Sequence, residues 1–159
     1  MRFDHLGLVV KDLGKARLGL ANTLGIQEWT DEIDDLVNGV RIQFGRDRSG
    51  LCYELLEPLG ADSPVAEAVR MRRTILNHVA YMVDKLSVAA EHLSLAGCAA
   101  MNEPKPAIAY GGGLVFGGIT AGRTRALRSR VTTLRSFAIL EGDRQKSYII
   151  LLAFTLGMS

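Results

Sequence analysis

His5 and His78 stand 73 residues apart in nearly the same local setting: Asp4-His5-Leu6-Gly7-Leu8-Val9-Val10 and Asn77-His78-Val79-Ala80-Tyr81-Met82-Val83. Both runs are apolar enough to be strands. Side chains alternate across a strand, so His5, Gly7 and Val9 share one face, and His78, Ala80 and Met82 share the matching face of the repeat. The residue two after each histidine is small, which leaves room beside the imidazole. In the run LCYELLEP at 51–58, Cys52, Glu54 and Leu56 share a face. A carboxylate set between Tyr53 and Leu55 is costly to bury unless something pairs with it. Two imidazoles and one carboxylate pointing into a single cavity make a divalent-metal site of borderline N/O character. A lone strand histidine is more often a hydrogen-bonded core or rim residue than a ligand. Recurrence of the pair in one context, with an inward glutamate, favours the ligand reading. His92, on a helix with no partner in view, reads as a solvated face. Asp31, Glu32, Asp34 and Asp35 read as a solvated loop, and Glu57 is expected to face solvent.

The repeat extends through the elements that must hold these groups. Residues 3–10 read as a strand and 12–24 as a helix with Leu13, Ala16, Leu20 and Leu24 on one face, stopped by Gly25. Extended runs follow at 26–33, 38–46 and 51–58. This predicts a first module, 1–59, in the order strand, helix, strand, strand, strand. A polar connector spans 60–73, with Asp62-Ser63-Pro64 opening a short helix. The second module, 74–120, starts the same order again: a strand at 75–83, a helix at 85–96 with Leu86, Ala89 and Leu93 inward, an extended run at 98–109, and a strand at 112–120. Its last strand is missing from the expected place. Residues 121–159 form an atypical tail, basic and then apolar. Its run YIILLAF at 148–154 is too apolar to be left exposed, and is expected to be a buried strand that completes the second module or joins a partner's sheet.

Composition sets outer bounds. With 159 residues, 48% hydrophobic and 23% charged, the chain has the make-up of a soluble globular domain. No apolar run reaches the ~20 residues of a membrane-spanning helix, and no signal-peptide pattern opens the chain. Cys52 and Cys98 sit among apolar neighbours and read as reduced thiols, so a cytoplasmic location is expected. Residues 1–120 carry 12 Lys+Arg against 15 Asp+Glu, while 121–159 carry 7 against 2. The arginines at 123, 125, 128, 130 and 135 lack interleaved aromatics for base stacking, so nucleic acid is not an expected partner. The glycines at 111–122 never complete a phosphate-loop pattern.

The paired D/N-H-x-x-x-x-V strands, the ELLEPL run at 54–59 and the two-module order resemble the vicinal oxygen chelate superfamily, the glyoxalase, bleomycin-resistance and dioxygenase group. Within it the likeness is nearest to the methylmalonyl-CoA epimerases. Asn38-Gly39-Val40-Arg41-Ile42-Gln43-Phe44, Asp62-Ser63-Pro64-Val65 and Glu103-Pro104-Lys105-Pro106 follow their pattern in order. The resemblance covers about residues 3 to 118. It implies an α+β fold in which two tandem βαβββ modules form a mixed or antiparallel sheet around a metal-lined cleft. It also implies one ligand from the first and one from the last strand of each module. His5, Glu54 and His78 take three of those places. The 73-residue offset carries Glu54 onto Leu127, which is no ligand, and the next acid along the chain is Glu141. Either Glu141 supplies both the fourth ligand and the proton-moving group, or water or another subunit fills that position, or the site is degraded. Arg41 and Gln43 lie where a second base would be sought.

Two functions follow from this resemblance. The first is metal-dependent proton abstraction next to a carbonyl, by an isomerase or lyase that uses zinc, cobalt, nickel or manganese and takes a small molecule such as an acyl-CoA. The second, favoured by the displaced fourth ligand, is a metal-free binding protein of the same fold that holds a small molecule or drug in a homodimer groove.

Overall fold

The computed structural model describes residues 1–71, 76–100, 103–120 and 148–154. Strand β1 (Arg2–Val9) leads to helix α1 (Leu13–Leu24), then to β2 (Glu28–Trp29), β3 (Ile33–Asp35), β4 (Val40–Arg46) and β5 (Cys52–Pro58). A short helix α2 (Ala66–Arg70) precedes β6 (Leu76–Val83), α3 (Leu86–Leu95), β7 (Cys98–Ala100), β8 (Lys105–Ala107), a 3-10 turn (Ile108–Tyr110), β9 (Gly113–Thr120) and β10 (Tyr148–Phe154). The strands form one mixed sheet in the order β2-β4-β5-β1-β6-β10-β9-β7, with β3 also on β4 and β8 also on β9.

Local chemistry explains the ends of α1. Asp12 caps it, its Oδ1 accepting from the Lys15 N–H at 2.9 Å, and Gly25 ends it in the left-handed region at φ 68°. A second carboxylate arrives from β5: the Leu13 N–H donates to Glu57 Oε2 at 2.8 Å. Glu57 is thus a helix-cap partner and not a solvated acid, because the first-turn N–H groups have no partner within the helix. Leu13 is buried as its period requires, whereas Leu24, at the last position of the helix, is exposed. The β4–β5 hairpin turns on Asp47, whose Oδ1 accepts from the N–H groups of Ser49 and Leu51. Trp29 lies flat against Gly45, where an added Cβ would meet its ring at 2.6 Å.

Three further expectations are corrected. The short helix begins at Ala66 and not at the Asp62-Ser63-Pro64 cap; Ser63 accepts through its backbone oxygen in the preceding turn. The run 98–109 is broken into β7, β8 and the 3-10 turn, since its prolines cannot donate to a continuous ladder. The acidic loop is not uniformly solvated either. Asp34 pairs with Arg41 at 2.6 Å, and Asp35 is fully buried. Asp35 accepts from the Asn38 N–H (3.0 Å), from Asn38 Nδ2 (2.9 Å) and from the Ile108 N–H (3.3 Å).

The halves meet at β1 and β6, which run antiparallel. On each side of that seam one further strand completes the cleft wall, and the two sides differ. β5 runs parallel to β1 and antiparallel to β4, but β10 runs antiparallel to β6 and parallel to β9. The apolar tail segment therefore fills the strand position beside β6 in its own sheet, with reversed polarity. Helix α3 packs Leu86, Ala89, Ala90 and Leu93 against Val83 and Phe116. In the other half, Val9, Val40, Ile42 and Leu56 form a core covered by Val65, Ala68 and Val69 from around α2.

Candidate metal centre

The β1–β6 pairing crosses the two copies of the repeat over one another. His5 stands opposite Ala80, and Gly7 stands opposite His78. Each imidazole is accommodated by the small residue of the other copy. An ideal Cβ at Gly7 would lie 2.5 Å or less from Cε1, Nε2 and Nδ1 of His78, so no side chain fits there with the ring in place. Parallel pairing of β1 with β5 puts Glu54 beside Gly7 from the other side. The β-alternation thus delivers all three groups to one spot, and all three are buried.

The donor atoms form a nearly equilateral triangle. His5 Nε2 and His78 Nε2 are 3.1 Å apart, His5 Nε2 and Glu54 Oε2 3.2 Å, and His78 Nε2 and Glu54 Oε2 3.1 Å. The outward nitrogens are also committed: His5 Nδ1 lies 2.8 Å from Asp4 Oδ2 and His78 Nδ1 2.9 Å from Asn77 Oδ1. An Nδ1–H donating to an oxygen leaves a neutral imidazole with its Nε2 lone pair facing inward, the arrangement that orients histidines toward metals. Two lone pairs and a carboxylate oxygen at this spacing require a positive charge among them. Burial pulls the His5 pKa down, but hydrogen bonds and charge from Asp4 and Glu54 outweigh it and hold the ring up to about 9. Glu54 shows the complement: burial favours its neutral form, yet hydrogen bonds from His5 and His78 keep its pKa well below the usual carboxylate range.

A divalent ion meets that demand. Donors on one face of an octahedron with bonds of about 2.0–2.2 Å lie about 2.8–3.1 Å apart, and on a tetrahedron about 3.3–3.6 Å apart. The observed edges fall between the two, so the residues present fit such an ion. Among the described residues the three donors form a group whose ligand atoms lie within 4.8 Å of one another.

Two aromatics close the site. Tyr110 stacks on His5 with centroids 6.1 Å apart and planes 14° apart, and Phe44 meets both rings edge-on. The Tyr110 hydroxyl lies 3.4 Å from Glu54 Oε1 and 3.3 Å from His5 Nδ1. Burial, then the charge of Glu54, push its pKa up, so it is a proton donor across the working pH range. Sequence reasoning missed Tyr110. Its signal was being the only aromatic between Tyr81 and Phe116, directly before three glycines. The acceptor at the position before each histidine, Asp4 or Asn77, was visible in the repeat without a role attached.

Other candidates fall elsewhere. Arg41 is tied to Asp34, and Gln43 pairs with Leu55 on the sheet face opposite Glu54, donating to the Thr30 carbonyl at 2.7 Å. Neither reaches the cluster as a second base, because a one-residue step along a strand reverses the face. His92 is exposed on α3 and does not belong to the group of His5, Glu54 and His78. Glu141 and Leu127 lie outside the described residues. At the register opposite Ala80, the counterpart of Gly7, stands Leu151, and β10 contains no carboxylate.

A mixed sheet built from a repeated strand-helix order, with two imidazoles and a carboxylate in its cleft, is the architecture of the glyoxalase-like proteins. Residues 4–116 match the model of the Glyoxalase/Bleomycin resistance protein/Dioxygenase superfamily, and the chain belongs to that family. It is 31% identical over 116 residues to the mitochondrial methylmalonyl-CoA epimerase of Bos taurus, a match covering 72% of this chain and 65% of the bovine protein. It is 30% identical over 119 residues to the ethylmalonyl-CoA/methylmalonyl-CoA epimerase of Cereibacter sphaeroides, covering 72% of this chain and 86% of that one. Its fold resembles a Streptomyces coelicolor methylmalonyl-CoA epimerase variant in complex with 2-nitronate-propionyl-CoA. That likeness has a TM-score of 0.56 and 16% identity, and it covers 96% of this chain and 97% of that one. Among the described residues no helix is long and apolar enough to cross a membrane.

Proposed function

We propose that this protein is a metal-dependent isomerase that removes and returns the proton alpha to the carbonyl of a short acyl-CoA thioester, a reading that the epimerase names of its relatives support. The observation that carries this reading is the triangle of His5 Nε2, Glu54 Oε2 and His78 Nε2, three inward donors with edges of 3.1–3.2 Å. These three residues would hold a divalent ion, which when bound supplies Lewis-acid polarisation of the thioester oxygen and so stabilises the enolate charge. The chain's own residues prepare the place. Asp4 and Asn77 fix the ring tautomers, while Phe44 and Tyr110 cover the cluster and exclude water from it. Zinc, cobalt, nickel and manganese all accept such a donor set.

We assign the proton-moving role to Glu141, the first acid after Glu103. Chain reach supports this. Glu141 precedes Tyr148 by seven residues, a span of up to about 24 Å. Tyr148 pairs with Val83 at the far end of the strand that carries His78, about 17 Å away along β6.

Incubating methylmalonyl-CoA with cobalt-loaded protein in D2O and following the C2 proton by NMR tests the proposal. The expected result is catalysed exchange, at least about 100-fold slower in His78→Ala. Absence of exchange with every first-row ion at stoichiometric loading would sink it. A second reading, a metal-free small-molecule binding protein, is favoured by one observation: Leu151, not an acid, stands where the second half would place its counterpart of Glu54. Tight binding of a small apolar or cationic molecule by metal-free protein, without metal uptake, is its expected signature.

A further inference from the structure

Glu54 presents two oxygens to its surroundings, and they are treated differently. Oε2 faces both imidazole Nε2 atoms, while Oε1 points toward Tyr110, whose hydroxyl is 3.4 Å away. His5 Nδ1 also lies near that hydroxyl, at 3.3 Å, but its N–H is already donated to Asp4 Oδ2 at 2.8 Å. Among the described residues the hydroxyl proton therefore has one free acceptor in reach, Glu54 Oε1. The contact is long for an O–H···O bond, so the hydroxyl directs Glu54 Oε1 more by its dipole than by a short hydrogen bond.

Tyr110 is held in that position from a distance. Its 3-10 turn belongs to the second half of the chain, while Glu54 belongs to the first. Two hydrogen bonds tie the turn across: the Ile108 N–H donates to the buried Asp35 carboxylate, and Asn38 Nδ2 donates to the Pro106 carbonyl at 3.2 Å. Behind Tyr110 the chain reverses through Gly111 and Gly112, at φ 61° and 81°, where side chains other than glycine are strained. The ring is stacked on His5 and set edge-on against Phe44.

We propose that Tyr110 is the positioning residue that makes Glu54 a one-oxygen donor, its hydroxyl occupying Oε1 so that Oε2 alone faces His5 and His78. This deepens the metal reading above and rests on it for its consequence, though not for the hydrogen bond itself. A carboxylate free to rotate would offer both oxygens to an ion or turn one away. Outer partners of this kind commonly change metal affinity by about 10- to 100-fold.

Tyr110→Phe keeps the ring contacts and removes only the donor. Two measurements separate the hydrogen bond from the metal. In metal-free protein, long-range 15N–1H spectra resolve the imidazoles of His5, His78 and His92. The expected result is a shift of the His5 and His78 Nε2 signals in Tyr110→Phe with His92 unmoved; unchanged signals would overturn the proposal. In a cobalt titration, the variant is expected to bind about tenfold more weakly than wild type, with an altered visible d–d band and an unchanged circular dichroism spectrum. Wild-type affinity and band shape in the variant would overturn it equally. If wild type takes up no cobalt, the metal reading fails, and the imidazole spectra alone decide the role of Tyr110.

Discussion

Replacing Gly7 by alanine adds one methyl group at the single place where the β1–β6 seam has no room for it. The new Cβ would lie 2.5 Å or less from three atoms of the His78 ring. Carbon–carbon and carbon–nitrogen contacts settle near 3.5 Å, so the ring must retreat by about 1 Å or more. A shift of that size breaks both 3.1 Å edges that end on His78 Nε2, leaving Glu54 buried with His5 as its only imidazole partner. The backbone itself offers no resistance, since Gly7 is not among the glycines with positive φ. On that ground alone glycine to alanine in a strand would stabilise by about 0.5–1 kcal/mol. Against this stands the loss of a buried hydrogen bond to a charged group, about 1.5–3 kcal/mol, so a net destabilisation of about 1–2 kcal/mol is expected in metal-free protein. The effect on metal is larger: with one of three donors displaced, cobalt affinity should fall about 100-fold, equivalent to about 2.7 kcal/mol. Gly19→Ala is the control, because nothing lies within 4 Å of a Cβ there, and it should leave binding untouched. Urea unfolding and calorimetric cobalt titration provide both numbers. Wild-type cobalt affinity in Gly7→Ala would refute the crossed packing of ring on glycine and the triangle built on it.

Other consequences follow from the same geometry. Metal must displace a proton from His5, whose pKa is raised to about 9, so apparent affinity should rise about tenfold per pH unit between pH 7 and 9; a flat profile there would contradict the coupling to Asp4 and Glu54. In metal-free protein the sign is opposite. A raised pKa contributes stability that is full below the unfolded value of 6.5 and is lost as pH rises through about 9, visible as a declining urea midpoint over that window. Asp35→Ala removes three hydrogen bonds from a fully buried carboxylate and unties the turn carrying Tyr110, for an expected loss of about 3 kcal/mol in chemical unfolding; a change below about 1 kcal/mol would show the clamp to be idle. Glu57→Ala should cost about 0.5–2 kcal/mol through the α1 cap while leaving cobalt affinity unchanged, since that side chain serves Leu13 and not the cluster.

The sequence by itself determined the periodic features. Strand alternation places His5 with Gly7 and His78 with Ala80, and the recurrence of Asp/Asn-His 73 residues apart announces that the two strands are copies. The helix at Leu13–Leu24 was legible from its apolar period and from Gly25, because a left-handed helix stop is local chemistry. An acid inside CYELLEP signalled that Glu54 needed a partner, although nothing in the run says which one. Only the tertiary structure decided that the copies lie antiparallel, so that each histidine rests on the other copy's small residue, and that β5 runs parallel to β1 and brings Glu54 level with Gly7. The same holds for Tyr110, Asp35 and Glu57. Their long-range partners, Glu54, Ile108 and Leu13, lie 56, 73 and 44 residues away, and no short-range pattern encodes a hydrogen bond across such a separation. The tail shows the division most sharply. The hydrophobicity of YIILLAF demanded burial. Its direction beside β6 is set by backbone pairing, which any apolar strand satisfies in either sense, and that direction puts Leu151 opposite Ala80.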